Sequence, residues 1–248
     1  MRDEPEVFEA SCLVCGRWGE HRREEGRPLR ETYKCAHCQA SLRYRAQAEV
    51  VLRCLGGRSV RSIAELVDVP RFRSLVIYEP GFIGPFRRYF RGLRRYTQSR
   101  YEPGRAKGER LGPGLENQDL MDLTFADDQF DLVISSDIFE HVRKPLEAFS
   151  EVHRVLKKGG MHIFSIPFSP GRAETAYPVD TSGPEDVFVE PPRYHGSPAT
   201  GQSLVYTDFG LDMLNELGEI GLPTMLHELD TPHMALRRVV TFASTKRA

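Results

Sequence analysis

Apolar residues follow two periods along this chain. Over Tyr44–Leu55 (YRAQAEVVLRCL) they keep helical spacing, and Gly56-Gly57 supplies the stop. A second, short helix is expected over Ser59–Val67, closed by Pro70. From Ser74 onward short apolar blocks alternate with helical ones. Ser74–Tyr78 (SLVIY) reads as a buried strand, Glu79–Gly84 as a tight turn, and the stretch near Phe86–Arg91 as a helix. Leu93–Gln98 reads as a second strand, and residues 102–114, rich in glycine and proline, as a loop. Phe130–Ser135 is a strong buried strand. Pro145 opens a helix to Lys157 that Gly159-Gly160 should stop, and Met161–Ile166 is the next strand. Residues 167–203 hold seven prolines and four glycines, so an irregular, functional segment is expected there. A helix over Thr207–Leu217 and strands over Thr224–Leu229 and Arg238–Ser244 complete the pattern. Strands alternating with helices imply an α/β fold with a mostly parallel sheet wrapped by helices.

Composition narrows the class. The chain has 248 residues, 40% of them hydrophobic and 28% charged, enough apolar material for a sizeable core. No apolar run approaches the ~18 residues that span a bilayer. The opening MRDEPEVFEA carries acids and no apolar core of a secretory signal, so a cytoplasmic protein with no membrane partner is expected. The formal net charge of −1 argues against bulk electrostatic binding of nucleic acid. That charge is unevenly spread: residues 86–110 carry nine Arg or Lys against two acids, and residues 111–151 ten acids against two bases. Solvated faces or a basic rim for an anionic substrate would both produce this.

Four of the five cysteines form two Cys-x-x-Cys pairs, Cys12/Cys15 and Cys35/Cys38. Each pair can place two thiolates on one knuckle, and two knuckles complete the tetrahedron zinc prefers. All four positions are thiolate, which leaves no open position for a catalytic water, so a structural zinc is expected. Two redox dithiols are the alternative. His21 or His37 could replace a cysteine, and Cys54, within a helix, reads as a core residue.

An ordered string of motifs carries more information than any one of them. Asp119-Leu120 is followed by Leu123-Thr124-Phe125, Phe130-Asp131-Leu132-Val133, Glu140-His141, and Arg154-Val155-Leu156-Lys157-Lys158-Gly159-Gly160. From Asp119 to Pro167 this resembles class I S-adenosylmethionine-dependent methyltransferases of the type 11 branch; the likeness is weaker over Ser74–Arg100. The chain also looks like a subgroup with an N-terminal zinc-knuckle pair, a following S-x-R-x-R-A segment (Ser41, Arg43, Arg45, Ala46), and a Tyr-His-Gly-x-Pro segment (Tyr194–Pro198).

The resemblance implies a Rossmann-like, doubly wound, mostly parallel seven-stranded sheet with a small zinc-ribbon-like module. It divides the chain into a four-cysteine zinc module (1–43), a helical linker (44–73) and a methyltransferase domain (74–248) with a substrate loop or lid at 167–203. It also implies S-adenosylmethionine as cofactor. Glu79 would lie near the methionine ammonium, Gly81 and Gly84 would line the cofactor turn, and Asp119 would accept the adenine amino hydrogen while the Leu120 backbone holds the ring. Ser135 and Ser136 would end the fourth strand beside the sulfonium. The sequence departs from the pattern in three places. Phe82 or Ile83 stands where the middle glycine is usual, Ser99-Arg100 where an acid usually grips the ribose (Glu102 being the nearest substitute), and Thr124 replaces a proline.

For the chemistry, His195, in the proline-rich loop, and His141, at a strand-to-helix junction, are the candidate bases; a cap or core hydrogen bond is the other reading for His141. Asp131, His153 and His162 read as structural. Arg43 and Arg45 read as packing the knuckles onto the main domain or binding an anion. The expected activity is methyl transfer to a small-molecule or saccharide acceptor. An RNA methyltransferase whose zinc module grips RNA is a second reading, and a non-catalytic adaptor with a vestigial cofactor site a third. The zinc segment itself, residues 1–48, is nearly balanced at nine bases and eight acids, which disfavours nucleic acid. Oligomeric state is not legible.

Overall fold

The computed structural model describes residues 4–81, 83–197 and 201–247. Phe82 of the cofactor turn and Pro198 of the Tyr-His-Gly-x-Pro segment lie outside the described residues. The first element is a hairpin of β1 (Val7–Ser11) and β2 (Trp18–Arg22), with Val7 opposite Arg22 and Ser11 opposite Trp18. Helix α1 (Leu42–Val51) follows and ends in a wider π-type turn over 52–56, close to the helix the spacing predicts. That turn accounts for a correction. Cys54 is exposed, because the extra residue in the turn rotates it off the buried face of Val50 and Val51.

Two one-turn helices, α2 (Ile63–Leu66) and α3 (Pro70–Arg73), lead into the sheet. Ser62 caps the first, accepting from the Glu65 amide. Pro70 opens the second as its first residue instead of closing the one before. Next come β3 (Ile77–Pro80), α4 (Arg87–Phe90), β4 (Tyr96–Arg100), β5 (Arg110–Gly112), β6 (Leu115–Asn117), β7 (Phe130–Ser136), α5 (Pro145–Val155) and β8 (Leu156–Ser165). Beyond them the 167–203 stretch is not wholly irregular. It carries a two-residue ladder, β9 (Val179–Asp180) with β10 (Val187–Phe188), and the β11 strand (Tyr194–Ser197), which pairs with β12 (Gly201–Leu204). Helix α6 (Met213–Ile220) starts later than predicted, at the Asp212 cap, and β13 (Thr224–Glu228) and β14 (Val240–Thr245) follow.

The central sheet has eight strands in the order β13-β14-β8-β7-β3-β4-β6-β5. The five inner strands, from β8 to β6, are parallel; β14 and β5 run against them, and β13, antiparallel to β14, runs with them again. The fold is the expected α/β, Rossmann-like one. The eighth strand comes from the segment read as a loop, where Arg110–Gly112 folds back on Leu115–Asn117. A second correction concerns residues 156–160. Helix α5 ends at Val155, and Lys157-Lys158-Gly159-Gly160 belong to β8 instead of capping and stopping the helix. Lys157 pairs with Asp131, whose Oδ2 also accepts the Val76 amide, so Asp131 is a structural anchor.

Alternate residues on each inner strand supply two cores, one per face. Tyr78, Val133, Phe164 and Phe242 pack against α5 and α6. Ile77, Leu132, Ile134, Ile163 and Ala243 pack against α1, α2 and α4. Cys12, Val14, Cys35 and Ala40 join this second core, and the Ile63 and Ala64 amides donate to the Leu13 and Val14 carbonyls. The cysteine segment is thus continuous with one face of the sheet. Among the described residues no helix is long and apolar enough to cross a membrane.

Candidate active site and cysteine cluster

The chain order places β3 at the centre, with β4 and β6 to one side and β7 and β8 to the other. A cleft must open at this reversal, beyond the carboxyl ends of the strands. A cavity of about 500 Å³ lies there, within the range of small-molecule sites. Glu79, Pro80 and Gly81 leave β3 along its wall, Ser99–Tyr101 leave β4, Gln118–Met121 follow β6, and Ser136–Ile138 leave β7. Gly196, Ser203 and Tyr206, from the long proline-rich segment and its continuation, cover it.

Local backbone chemistry sets these positions. Gly81 adopts φ +95°, and a side chain there would meet the Ile138 terminal methyl at 3.1 Å, so glycine keeps the wall open. Asp119 accepts the Met121 amide on its Oδ1 at 2.9 Å, an Asx turn that fixes the carboxylate at the cavity edge. Glu79 is buried and accepts from the Tyr96 hydroxyl. Burial pushes its carboxyl up to about 7, against the lowering effect of that hydrogen bond and of Arg87.

Of the residues predicted to hold the cofactor, Glu79, Gly81, Asp119, Leu120 and Ser136 share this cavity, as does His141. Three others point elsewhere. The Ser135 hydroxyl is buried against His162 Nε2 at 2.9 Å, on the core side of its strand. Gly84 does not line the cavity, and a side chain there would meet the Tyr44 hydroxyl at 3.5 Å and the Glu79 carboxylate at 3.6 Å. Glu102 is engaged by Arg100 and Arg105. His162 is fully buried, which holds its ring neutral with a pKa of about 3.

Sequence reasoning singled out Arg43 but missed Arg30, Gln47 and Asp137, which join it in tying the N-terminal segment to the cavity floor. Gln47 donates to the Ser135 carbonyl at 2.7 Å and to that of Ile163 at 3.2 Å, and accepts from the Ser136 hydroxyl. One turn earlier Arg43 reaches Glu31 at 2.7 Å and Asp137 at 3.2 Å. Arg30 holds Asp137 Oδ1 at 2.6 Å, and Ser165 donates to the same oxygen. Asp137 sits in the left-handed region at φ +52°, where aspartate is tolerated. The signal available was the i, i+4 spacing of Arg43 and Gln47 on a helix, both polar and both on its buried face. Arg45 is buried behind Phe8, with the thiolates near enough to act on its charge. Both arginines therefore pack the cysteine segment onto the sheet.

The two Cys-x-x-Cys turns have the same local geometry. The Cys12 carbonyl accepts the Gly16 amide at 2.7 Å, and the Cys35 carbonyl accepts the Gln39 amide at 2.9 Å. Gly16 and Gln39 both take positive φ, +76° and +60°. Cys12 and Cys38 sulfurs lie 3.7 Å apart and Cys15 and Cys35 sulfurs 3.6 Å, with all four within 4.8 Å of one another. A tetrahedron of ~2.3 Å metal–sulfur bonds has edges of about 3.8 Å, so the set fits a four-thiolate zinc site. Burial pushes the Cys15 thiol up to about 11, and ionising all four thiols together takes a cation. His21 is held by the Tyr33 and Ala10 carbonyls, at 3.1 and 3.3 Å, and stands outside this set.

A second cluster lies beside the covered end of the cavity; His141 lines the cavity, whereas Glu140 and His195 do not. His141 and His195 stand edge to face with ring centres 5.1 Å apart, beside the buried Glu140. Burial and the neighbouring Asp137 push the Glu140 carboxyl well above the usual range. Part of the basic stretch 86–110 is engaged internally: Arg87 with Gln98, Arg100 and Arg105 with Glu102, and Lys107 with Asp122.

Residues 95–164 match the methyltransferase domain family. Among solved structures, an S-adenosylmethionine-dependent methyltransferase from Mesorhizobium loti has 24% identity and a TM-score of 0.50, covering 78% of this chain and 100% of that one. The 1,6-didemethyltoxoflavin-N1-methyltransferase of Burkholderia thailandensis, solved with its namesake ligand and S-adenosylhomocysteine, has 14% identity and a TM-score of 0.42, covering 82% of this chain and 87% of that one. No curated protein matches the sequence. The chain has the fold of the class I S-adenosylmethionine-dependent methyltransferases. The match to the methyltransferase domain family over its central segment supports a methyltransferase enzyme.

Proposed function

We propose that the chain transfers the methyl group of S-adenosylmethionine to a small-molecule or saccharide acceptor. The observation that carries this is the convergence of Glu79, Gly81, Asp119, Leu120 and Ser136 on one cavity at the carboxyl ends of the parallel strands. Glu79 then faces the methionine ammonium, Asp119 accepts the adenine amine, and Gly81 lets the ligand approach the backbone. Transfer is an in-line displacement, so the chain mainly orients two reactants and excludes water. The 167–203 segment supplies that exclusion, and His141 and His195 serve the acceptor at its end of the cavity. The internal pairing of the basic stretch and the balanced charge of the cysteine segment favour this acceptor class over RNA.

Cys12, Cys15, Cys35 and Cys38 hold a structural Zn²⁺ in this reading, which cross-links the two knuckles against the sheet. Four free thiolates suit a reducing, cytoplasmic setting. The test is calorimetry with S-adenosylhomocysteine on the full chain. Saturable binding that weakens in Asp119→Ala supports the reading, and no heat up to millimolar ligand overturns it.

A further inference from the structure

One group of side chains beside the cavity, of which His141 alone lines it, has no task in cofactor binding. Glu140 is only 1% exposed, and neither of its carboxylate oxygens has a hydrogen-bond partner among the other described residues. Burying a carboxylate without a donor is costly, so its position calls for a partner that the described residues do not supply. Its Oε1 faces His141 Nε2 at 3.7 Å and His195 Nδ1 at 3.9 Å, and the three ligand atoms all lie within 4.8 Å of one another. Those separations are too long for hydrogen bonds. They suit groups that share one ion, since bonds of about 2.0–2.2 Å place ligand atoms about 3–4 Å apart.

The tautomer agrees. His141 Nδ1 donates to the Leu204 carbonyl at 2.7 Å, which leaves the Nε2 lone pair turned toward Glu140. Metal-bound histidines are oriented in this way by their second nitrogen. Asp137, though adjacent, does not join the set, because Arg30, Arg43 and Ser165 occupy its oxygens.

We propose that Glu140, His141 and His195 bind a divalent transition-metal ion at the acceptor end of the cavity. Two imidazoles and one carboxylate suit such an ion, and three protein ligands leave positions open for an incoming oxygen. The inference rests on the methyl-transfer reading and narrows its acceptor to one presenting a hydroxyl. That hydroxyl binds the ion and loses its proton to solvent. The resulting oxygen lone pair attacks the methyl carbon, and the carbon–sulfur pair stays on sulfur as the sulfonium becomes a neutral thioether. His195 comes from the β11 strand and Glu140 from the turn after β7, so the ion would also fasten the covering segment to the sheet.

The test is a Co²⁺ titration of the full chain with metal already in its cysteine cluster, counted by equilibrium dialysis. Thiolate-to-cobalt charge-transfer absorption separates exchange into the cluster from binding elsewhere. The expected result is one further Co²⁺ per chain without that absorption, weakened at least about tenfold in both Glu140→Gln and His195→Ala. Glu140→Gln keeps the buried volume, and His195 is 44% exposed, so neither change threatens folding on steric grounds. No Co²⁺ beyond the cluster, or undiminished binding in the two variants, overturns the proposal. Calorimetry with S-adenosylhomocysteine on the same samples reports separately on the cofactor reading, since none of the three side chains is assigned to the cofactor.

Discussion

The cysteine cluster and the cavity are assembled in opposite ways. The cluster draws on residues 12–38, and each half is closed by backbone hydrogen bonds four residues apart. The cavity draws on strand ends from Glu79 to Ser136 and on a cover that reaches Tyr206. A short-range device carries its chemistry in its spacing. A long-range one exists only once the sheet has formed. Yet the two are joined, since Arg30, Arg43 and Gln47 run from the cysteine segment to the end of β7. The sharpest question is whether the cluster merely decorates the cavity or supports it.

Removing the cluster should have the largest effect. Cys35→Ser, or stripping the proposed zinc with a chelator, takes away the proposed cross-link and exposes the core shared by Cys12, Val14 and Ile63. A loss of at least about 5 kcal/mol is expected, from the scale of structural zinc binding, read as a fall in the thermal midpoint. Affinity for S-adenosylhomocysteine should fall with it. Unchanged affinity in a metal-free, folded chain would show that the two regions are independent.

That join explains what was legible in the sequence. The cluster showed in four residues and their spacing. The central strands β7 and β8, Asp119 and Glu140-His141 showed in a motif string whose members lie close together. Gln47 and Asp137 gave no comparable signal, because a polar residue on the buried face of a helix acquires meaning only from the strand end it meets. Ser135 was misplaced for a related reason. Successive residues at the end of a strand point to opposite faces, and only the register with β8 shows that Ser136, not Ser135, faces the cavity. Residues 110–112 looked like part of a loop because a three-residue strand leaves too little room for alternation to show.

The join can be cut without touching either region's own chemistry. Arg43→Met leaves the cysteines and the cavity lining in place but removes the charge shared by Glu31 and Asp137. Breaking a buried pair costs about 3–5 kcal/mol. The lower end is expected here because Arg30 still neutralises Asp137, and the urea midpoint measures it. A loss below ~1 kcal/mol would mean that the contact between the regions is apolar, carried by the shared core.

Asp119→Ala acts on the cavity alone. Its carboxylate makes one internal hydrogen bond, so stability should change little. A lost hydrogen bond between a charged group and the adenine amine predicts about 10–100-fold weaker S-adenosylhomocysteine binding. Equal affinity in the variant would remove Asp119 from the cofactor wall.

The smallest effect is a fraction of a proton. Burial holds Glu79 at a pKa of about 7, so near neutrality the carboxyl is roughly half protonated before the cofactor arrives. The methionine ammonium favours the carboxylate and pulls that pKa down in the complex. Binding at pH 7 should therefore release roughly half a proton, seen as a heat that varies with the ionisation enthalpy of the buffer. The sign is fixed by the same linkage. Affinity approaches its full value well above pH 7 and falls as the pH drops through and below it, because the proton must first leave. Glu79→Gln should abolish both the proton release and this slope. A wild-type heat independent of buffer would place the ammonium elsewhere in the cavity, and Glu79 would then be a structural acid held by Tyr96.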